Sequence, residues 1–270
     1  METAVVTGAA RGLGRAICER LADRGLAVVA ADIDGDAAAA AAAEIGRGAT
    51  GVRLDVRDPV GCREVAAQAA ASGRLAVWVN NAGISRSERV WDHPDADVEL
   101  TVATNLLGVV HGCRVAIEVM RSGGGGRILN VASMSSHVPA PGLAVYGATK
   151  QGVLAFSIAL QVELRDAGVP IEVRSVCPDP IDTGMVRAQV DAPEAAILWT
   201  GTRILPAGEV AGRAVELLYG ERLYGSVPRW RAVALRLLGA VPRLTVRMLP
   251  VLKRFGERNR RAWLASERGY

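Results

Sequence analysis

The chain has no run of 18 consecutive apolar residues, only three histidines and only four cysteines, and each shortage removes a class of protein. Without such a run, a membrane-spanning helix is not expected. Cys18, Cys62, Cys113 and Cys177 show neither CxxC nor zinc-ligand spacing, and three of them sit in apolar runs, as reduced core thiols of a cytosolic protein do. His93, His111 and His137 are isolated from one another, so no His/Cys metal site is expected. No charged leader followed by a long apolar core opens the chain, which makes secretion unexpected and a cytoplasmic location the expectation. There is no internal repeat and no linker before residue 228.

What is present is apolar residue in quantity: half of the 270 residues, ample for one large α/β domain or two small ones, with one the economical reading. Charge is uneven. Residues 221–270 carry twelve Arg or Lys against Glu221, Glu257 and Glu267, a net of +9. Since the whole chain is +4, residues 1–220 stand at −5. A mildly acidic body with a basic tail predicts a local partner for the tail, and no nucleic acid on the body.

Short apolar runs alternate with helical patterns along residues 1–227. Strands are expected at 3–7, 26–32, 52–56, 75–80, 127–133, 171–177 and, less regularly, near 222–228. Helical spacing covers 36–44, 59–72, a long stretch from 96 to 120, 144–167 and 206–220, with an irregular lid over 184–206. Such alternation with short connections is the pattern of a Rossmann-type doubly wound parallel sheet of about seven strands, helices on both faces.

Between the first strand and its helix stands Thr7-Gly8-Ala9-Ala10-Arg11-Gly12-Leu13-Gly14. Glycines there permit a tight turn and bring backbone N–H groups to a pyrophosphate at the positive end of a helix. Asp32 closes the second strand, 18 residues beyond Gly14. A carboxylate at that spacing accepts from ribose hydroxyls and repels a 2′-phosphate, which favours NAD. Arg11, a cation within the turn, argues the other way, for NADP.

Tyr146 and Lys150 are four apart in a helical pattern and so share a face. A cation beside a phenol favours the phenolate, so a lowered tyrosine pKa is expected.

Taken together, TGAARGLG (7–14), Asp32, Asp55, NNAG (80–83), Asn105 in NLLG, Ser133 and Tyr146-Gly-Ala-Thr-Lys150 resemble the short-chain dehydrogenase/reductase family over roughly residues 3–227. The resemblance implies a catalytic set of Asn105, Ser133, Tyr146 and Lys150. In it Tyr146 exchanges the proton, Ser133 holds the substrate oxygen, Lys150 lowers the tyrosine pKa and binds the nicotinamide ribose, and Asn105 supports a water chain to Lys150. It further implies a cofactor set of Gly8, Arg11, Gly12, Leu13, Gly14 and Asp32, with Asp55 and Val56 at the adenine and Asn81, Ala82 and Gly83 along the adenosine. Pro178, Ile181 and Thr183 would hold the carboxamide. A homodimer or homotetramer, meeting through the helices at 96–120 and 144–167, is the family's habit.

One departure stands out: Asp179 replaces the glycine expected after Pro178. It either meets a polar substrate group and narrows the pocket, or only reshapes the loop. Ile84, Val90, Met134, Val138, Leu143, Met185, Val186 and Trp199 are candidates for an apolar pocket wall, which suits a lipophilic secondary alcohol or ketone. A nucleotide-bound sensor or scaffold acting through the tail, and dehydratase or epimerase chemistry, are the alternatives.

Residues 228–270 form an extension. Trp230, Val233, Ala234, Leu237, Leu238 and Val241 fall on one helical stripe, and Leu244, Met248, Leu252 and Phe255 on a second that Pro250 is expected to interrupt. Residues 229–261 suit an anionic membrane surface, or the stripes pack on the body or on a second subunit.

Overall fold

Strands that are apolar on both faces need cover on both, and this chain supplies it by alternating strands with helices. The computed structural model describes the backbone of residues 1–267 and side chains through residue 265. Among the described residues, β1 (Glu2–Thr7), β2 (Ala27–Asp32), β3 (Thr50–Arg53), β4 (Arg74–Asn80), β5 (Gly126–Val131), β6 (Ile171–Pro178) and β7 (Tyr224–Val227) form one parallel seven-stranded sheet. Its order is β3-β2-β1-β4-β5-β6-β7. The order reverses between β1 and β4, and a doubly wound sheet opens its binding crevice at that switch point.

The helices are α1 (Gly12–Asp23), α2 (Gly35–Ile45), α3 (Pro59–Ser72), α4 (Asp95–Val102), α5 (Gly108–Ser122), α6 (Ala144–Asp166), α7 (Gly184–Arg187), α8 (Ala207–Leu218), α9 (Arg229–Gly239) and α10 (Pro242–Glu267). Strand alternation sorts the core into two layers. Val6, Val28, Val79 and Leu129 pack with α1 and α8 on one face, while Val5, Trp78, Ile128 and Val173 pack with α3, α5 and α6 on the other. All four cysteines are free and buried.

Three expectations need correction. The third strand lies at Thr50–Arg53 and not at 52–56, because its partner β2 ends at Asp32, which pairs with Arg53. Leu54 and Val56 are then buried core residues beyond the ladder. The stretch 96–120 is helical but interrupted by a π turn, Ala103–Leu107, between α4 and α5. An 18-residue window within Asp95–Ser122 reaches a mean hydropathy of 1.4, but α5 packs on α3 and β4 as a core helix. Finally, Pro250 does not interrupt α10. The carbonyl that Pro250 leaves without a donor belongs to the exposed Val246, where water reaches it.

Candidate active site

The crevice is built from the carboxyl ends of the strands, and β1 supplies the first part. Thr7 Oγ1 accepts from the N–H groups of Asn81 (3.0 Å) and Ala82 (3.1 Å) and donates to the Val79 carbonyl. Asn81 Nδ2 donates to the carbonyls of Thr7 and Gly8, both at 2.9 Å, so this amide ties the glycine turn to β4. Gly8 and Gly12 have φ of +64° and +59°, a region side chains disfavour. A Cβ on Gly12 would come within 3.0 Å of Thr183 Cγ2, which marks how closely the turn faces the loop after β6. Arg11 caps α1 without a side-chain hydrogen bond, leaving the helix's first N–H groups free for an anion.

Asp32, at the end of β2, accepts from the Ala10 N–H at 3.0 Å and from Asp34 N–H at 3.2 Å. Asp55 is gripped by Arg57, whose Nε lies 2.9 Å from Oδ1, and this hydrogen bond holds the carboxyl below its usual range. Val56 beside it is buried.

β5 delivers Ser133, whose Oγ accepts from the Ser135 N–H at 3.2 Å and caps the short turn Met134–Ser136. Ser136 Oγ donates to the Lys150 carbonyl at 2.7 Å, which docks α6 on that turn. Tyr146 and Lys150 then sit one helical turn apart, the tyrosine phenol hydrogen-bonded to Ser133. Lys150 Nζ donates to the Val131 carbonyl at 2.8 Å and stands 5.8 Å from the centroid of the Tyr146 ring.

Here the expectation about acidity is reversed. Burial pushes the Tyr146 phenol above its ordinary value, opposed by the Ser133 hydrogen bond. Burial also lowers Lys150 to about 8, opposed by Cys177. The expectation counted only the neighbouring cation, whereas desolvation acts on both groups and sets the direction of each.

A buried polar chain fixes α6 from behind. Trp78 Nε1 donates to Asn80 Oδ1 (2.7 Å), Asn80 Nδ2 to Asn130 Oδ1 (2.8 Å), and Asn130 Nδ2 to Ser157 Oγ (2.8 Å) on α6. Asn105, in the π turn, is fully buried and clasps the backbone of Ile84, accepting from its N–H and donating to its carbonyl, both at 2.8 Å. Extra-wide helical turns of this kind re-aim one side chain and recur at functional sites.

The glycine turn, Asp32, Asp55, Ser133, Tyr146 and Lys150 meet in one cavity of about 900 Å³. Every residue of the expected catalytic and cofactor sets lines it except Asn105, which stands behind Gly83 and Ile84. Of the expected apolar wall, Ile84, Met134, Val138, Leu143, Met185 and Val186 line it. Val90 does not, being exposed on the surface, and Trp199 turns into a separate buried cluster against Trp263.

The extension contributes what sequence reasoning missed. Arg231, Leu235, Leu249 and Leu252 line the same cavity. Asp179 is buried and takes Arg231 Nε at 2.9 Å from Oδ2, while the same guanidinium donates to the Thr200 carbonyl and hydroxyl at 2.6 Å each. Arg231 of α9 thus ties together Asp179 at the end of β6 and Thr200 of the lid. Burial raises its carboxyl to about 6, with Arg231 opposing. Lys253 pairs with Glu194 at 2.5 Å, Asn259 Nδ2 donates to the Trp199 carbonyl at 3.0 Å, and Gly256 packs so close to the Ala196 carbonyl that a Cβ would meet it at 2.0 Å. The signal for this docking was the unexplained Asp179 in one place and a surplus of arginine in another. Among the described residues there is no group of three or more His, Cys, Asp or Glu placed to hold a metal.

Comparison with known proteins agrees with this geometry. The family model for short chain dehydrogenase matches residues 2–194. The chain is 34% identical over 210 residues to the 3-oxoacyl-[acyl-carrier-protein] reductase FabG of Escherichia coli, covering 77% of this chain and 84% of that protein. It is 36% identical over 229 residues to 1-deoxy-11-beta-hydroxypentalenate dehydrogenase of Streptomyces avermitilis, covering 82% of this chain and 83% of the relative. A crystal structure of a short chain dehydrogenase/reductase from Burkholderia phymatum in complex with NAD superposes with a TM-score of 0.80 at 28% identity, over 87% of this chain and 92% of that one. With the family model spanning well over half its length, the chain belongs to the short-chain dehydrogenase/reductase family.

Proposed function

We propose that this oxidoreductase interconverts a lipophilic secondary alcohol and its ketone with NAD, Tyr146 acting as general acid and base. The observation that carries the reading is the single cavity that Asp32 and the glycine turn share with Ser133, Tyr146, Lys150 and an apolar wall. Asp32 and Ser133 leave strands three places apart in the sheet, a span of about 14 Å at the usual strand spacing of ~4.8 Å. An extended dinucleotide matches that span, and the side-chain-free turn with its uncapped helix start fits a pyrophosphate.

When bound, a nicotinamide dinucleotide supplies or accepts the hydride. The chain's own residues do the rest. Ser133 holds the substrate oxygen, and Tyr146, whose protonated form burial favours, donates its proton to it in reduction, while in oxidation the phenolate form takes the proton from the alcohol. Lys150 keeps an ammonium within reach of the phenol and of the ribose, while Asn105 holds the Gly83–Ile84 turn beside it as a positioning residue. The Asp32 carboxylate favours NAD over NADP, since a 2′-phosphate would be repelled there; Arg11 opposes this from the exposed edge of the turn.

Relatives named as a reductase and a dehydrogenase support the class. Leu235, Leu249 and Leu252 add to the apolar wall and support a lipophilic substrate, so α9 and α10 belong to the catalytic unit in this reading. Exposed Leu107 and Val162 on the α4–α5 and α6 surfaces support a homodimer or homotetramer joined there. The test is to follow reduced nicotinamide with purified protein, NAD or NADP, and a panel of secondary alcohols of rising chain length. Turnover with NAD that strengthens with apolar bulk is expected. Turnover confined to short polar alcohols would reject the lipophilic assignment.

A further inference from the structure

We propose that the outward face of α9 and α10 is a docking surface for an anionic lipid bilayer. The two helices are two-sided. Inward, Leu235, Leu249 and Leu252 line the cavity and Arg231, Lys253 and Asn259 grip the lid. Outward, Trp230, Val233, Leu237 and Val241 repeat at steps of three, four and four, and stand 58%, 55%, 68% and 49% exposed. On α10, Leu244, Met248, Val251 and Phe255 continue at four, three and four, all exposed. The structure here corrects the stripe read from sequence: Leu252 turns in toward the cavity and Val251 takes the outward place.

Eight apolar side chains outward along two adjoining helices are more than scattered surface residues need. Their surroundings choose the occupant. Arg229, Arg243, Arg247, Arg254, Arg258 and Arg261 are exposed, and none forms an ion pair among the described residues. Between residues 229 and 261 the one acidic side chain is Glu257. On an ideal helix Arg247, Arg254 and Arg258 fall beside the stripe of Leu244, Met248, Val251 and Phe255 and away from the packed face. A second copy of the chain meeting this face about a two-fold axis would set arginine against arginine. An anionic bilayer meets both demands at once, taking the apolar stripe into its headgroup boundary and the arginines against its phosphates. Docking is independent of the catalytic reading, since it needs only the outer face.

The test is flotation of the full chain with phosphatidylcholine vesicles and with mixed phosphatidylcholine/phosphatidylglycerol vesicles. Recovery roughly tenfold higher with the anionic vesicles is expected, falling to the neutral level at about 1 M salt, where screening reaches ~3 Å. The double variant Leu237→Glu/Phe255→Glu alters two exposed side chains and should lose flotation while keeping its melting temperature. Arg247→Glu/Arg254→Glu should lose it as well, which separates the electrostatic part from the apolar part. Absence of the parent chain from the anionic vesicle fraction, or equal recovery with neutral vesicles, overturns the proposal. So does an oligomer that the glutamate variants dissociate without any vesicle binding, which would give the face to a second copy.

Discussion

Asp179 Oδ2 lies 2.9 Å from Arg231 Nε, and this buried pair joins the end of the sixth strand to the first helix of the extension. A buried carboxylate is stable as an ion only while its partner remains. Arg231→Leu is therefore expected to lower stability at pH 8 by about 3–5 kcal/mol. The pH dependence has a definite sign. Asp179 titrates near 6 in the folded chain, above the ordinary carboxylate, so its ionisation costs stability as pH rises through that value, and the loss of Arg231 increases the cost. Denaturant melts at pH 5 and pH 8 should show the variant recovering much of its deficit at the lower pH, and Asp179→Asn/Arg231→Leu should recover it at both. An equal deficit at the two values would mean the pair is not what holds the extension.

Cofactor choice is expected to turn on one charge. Asp32→Asn keeps an acceptor oxygen for one of the two N–H groups, Ala10 or Asp34, which donate to different carboxylate oxygens, and removes the repulsion of a 2′-phosphate. The ratio of kcat/KM with NAD to that with NADP should fall by roughly tenfold or more, about 1.4 kcal/mol in discrimination. An unchanged ratio would place the discrimination elsewhere, with Arg11 the next residue to replace.

Burial lowers Lys150 to about 8, so its ammonium is present below that pH and lost above it. For ketone reduction, kcat/KM is expected to decline above about pH 8, because this parameter reports ionisations of the free enzyme. A profile flat to about pH 10, where free tyrosine titrates, would contradict the placement of that charge in the proton path.

The body of the fold and most of its site were legible because their signals are local. A short apolar strand, a glycine turn and a helix start follow one another in the chain, and Tyr146 and Lys150 share a face by spacing alone. The misreadings came where the deciding contact is distant. β3 ends where β2 stops offering a partner, which residues 50–56 do not record. The π turn at Asn105 adds no compositional mark, since Ala103–Leu107 contains neither glycine nor proline. The packed side of α10 mixes Leu249, Leu252 and Trp263 with Thr245, Lys253, Gly256 and Asn259, which meet backbone carbonyls or Glu194, and this dilutes the apolar period that announces a buried face. Tyr146 was misjudged in acidity because burial, a property of the folded chain, sets its direction.

The account rests on Tyr146 as the proton-transfer group, and Tyr146→Phe tests it with the loss of one oxygen. With the substrate that the parent turns over best, kcat should fall by roughly 10²–10⁴-fold while the dissociation constant for NAD changes by no more than about twofold. Turnover within tenfold of the parent, with NAD bound as before, would contradict the assignment.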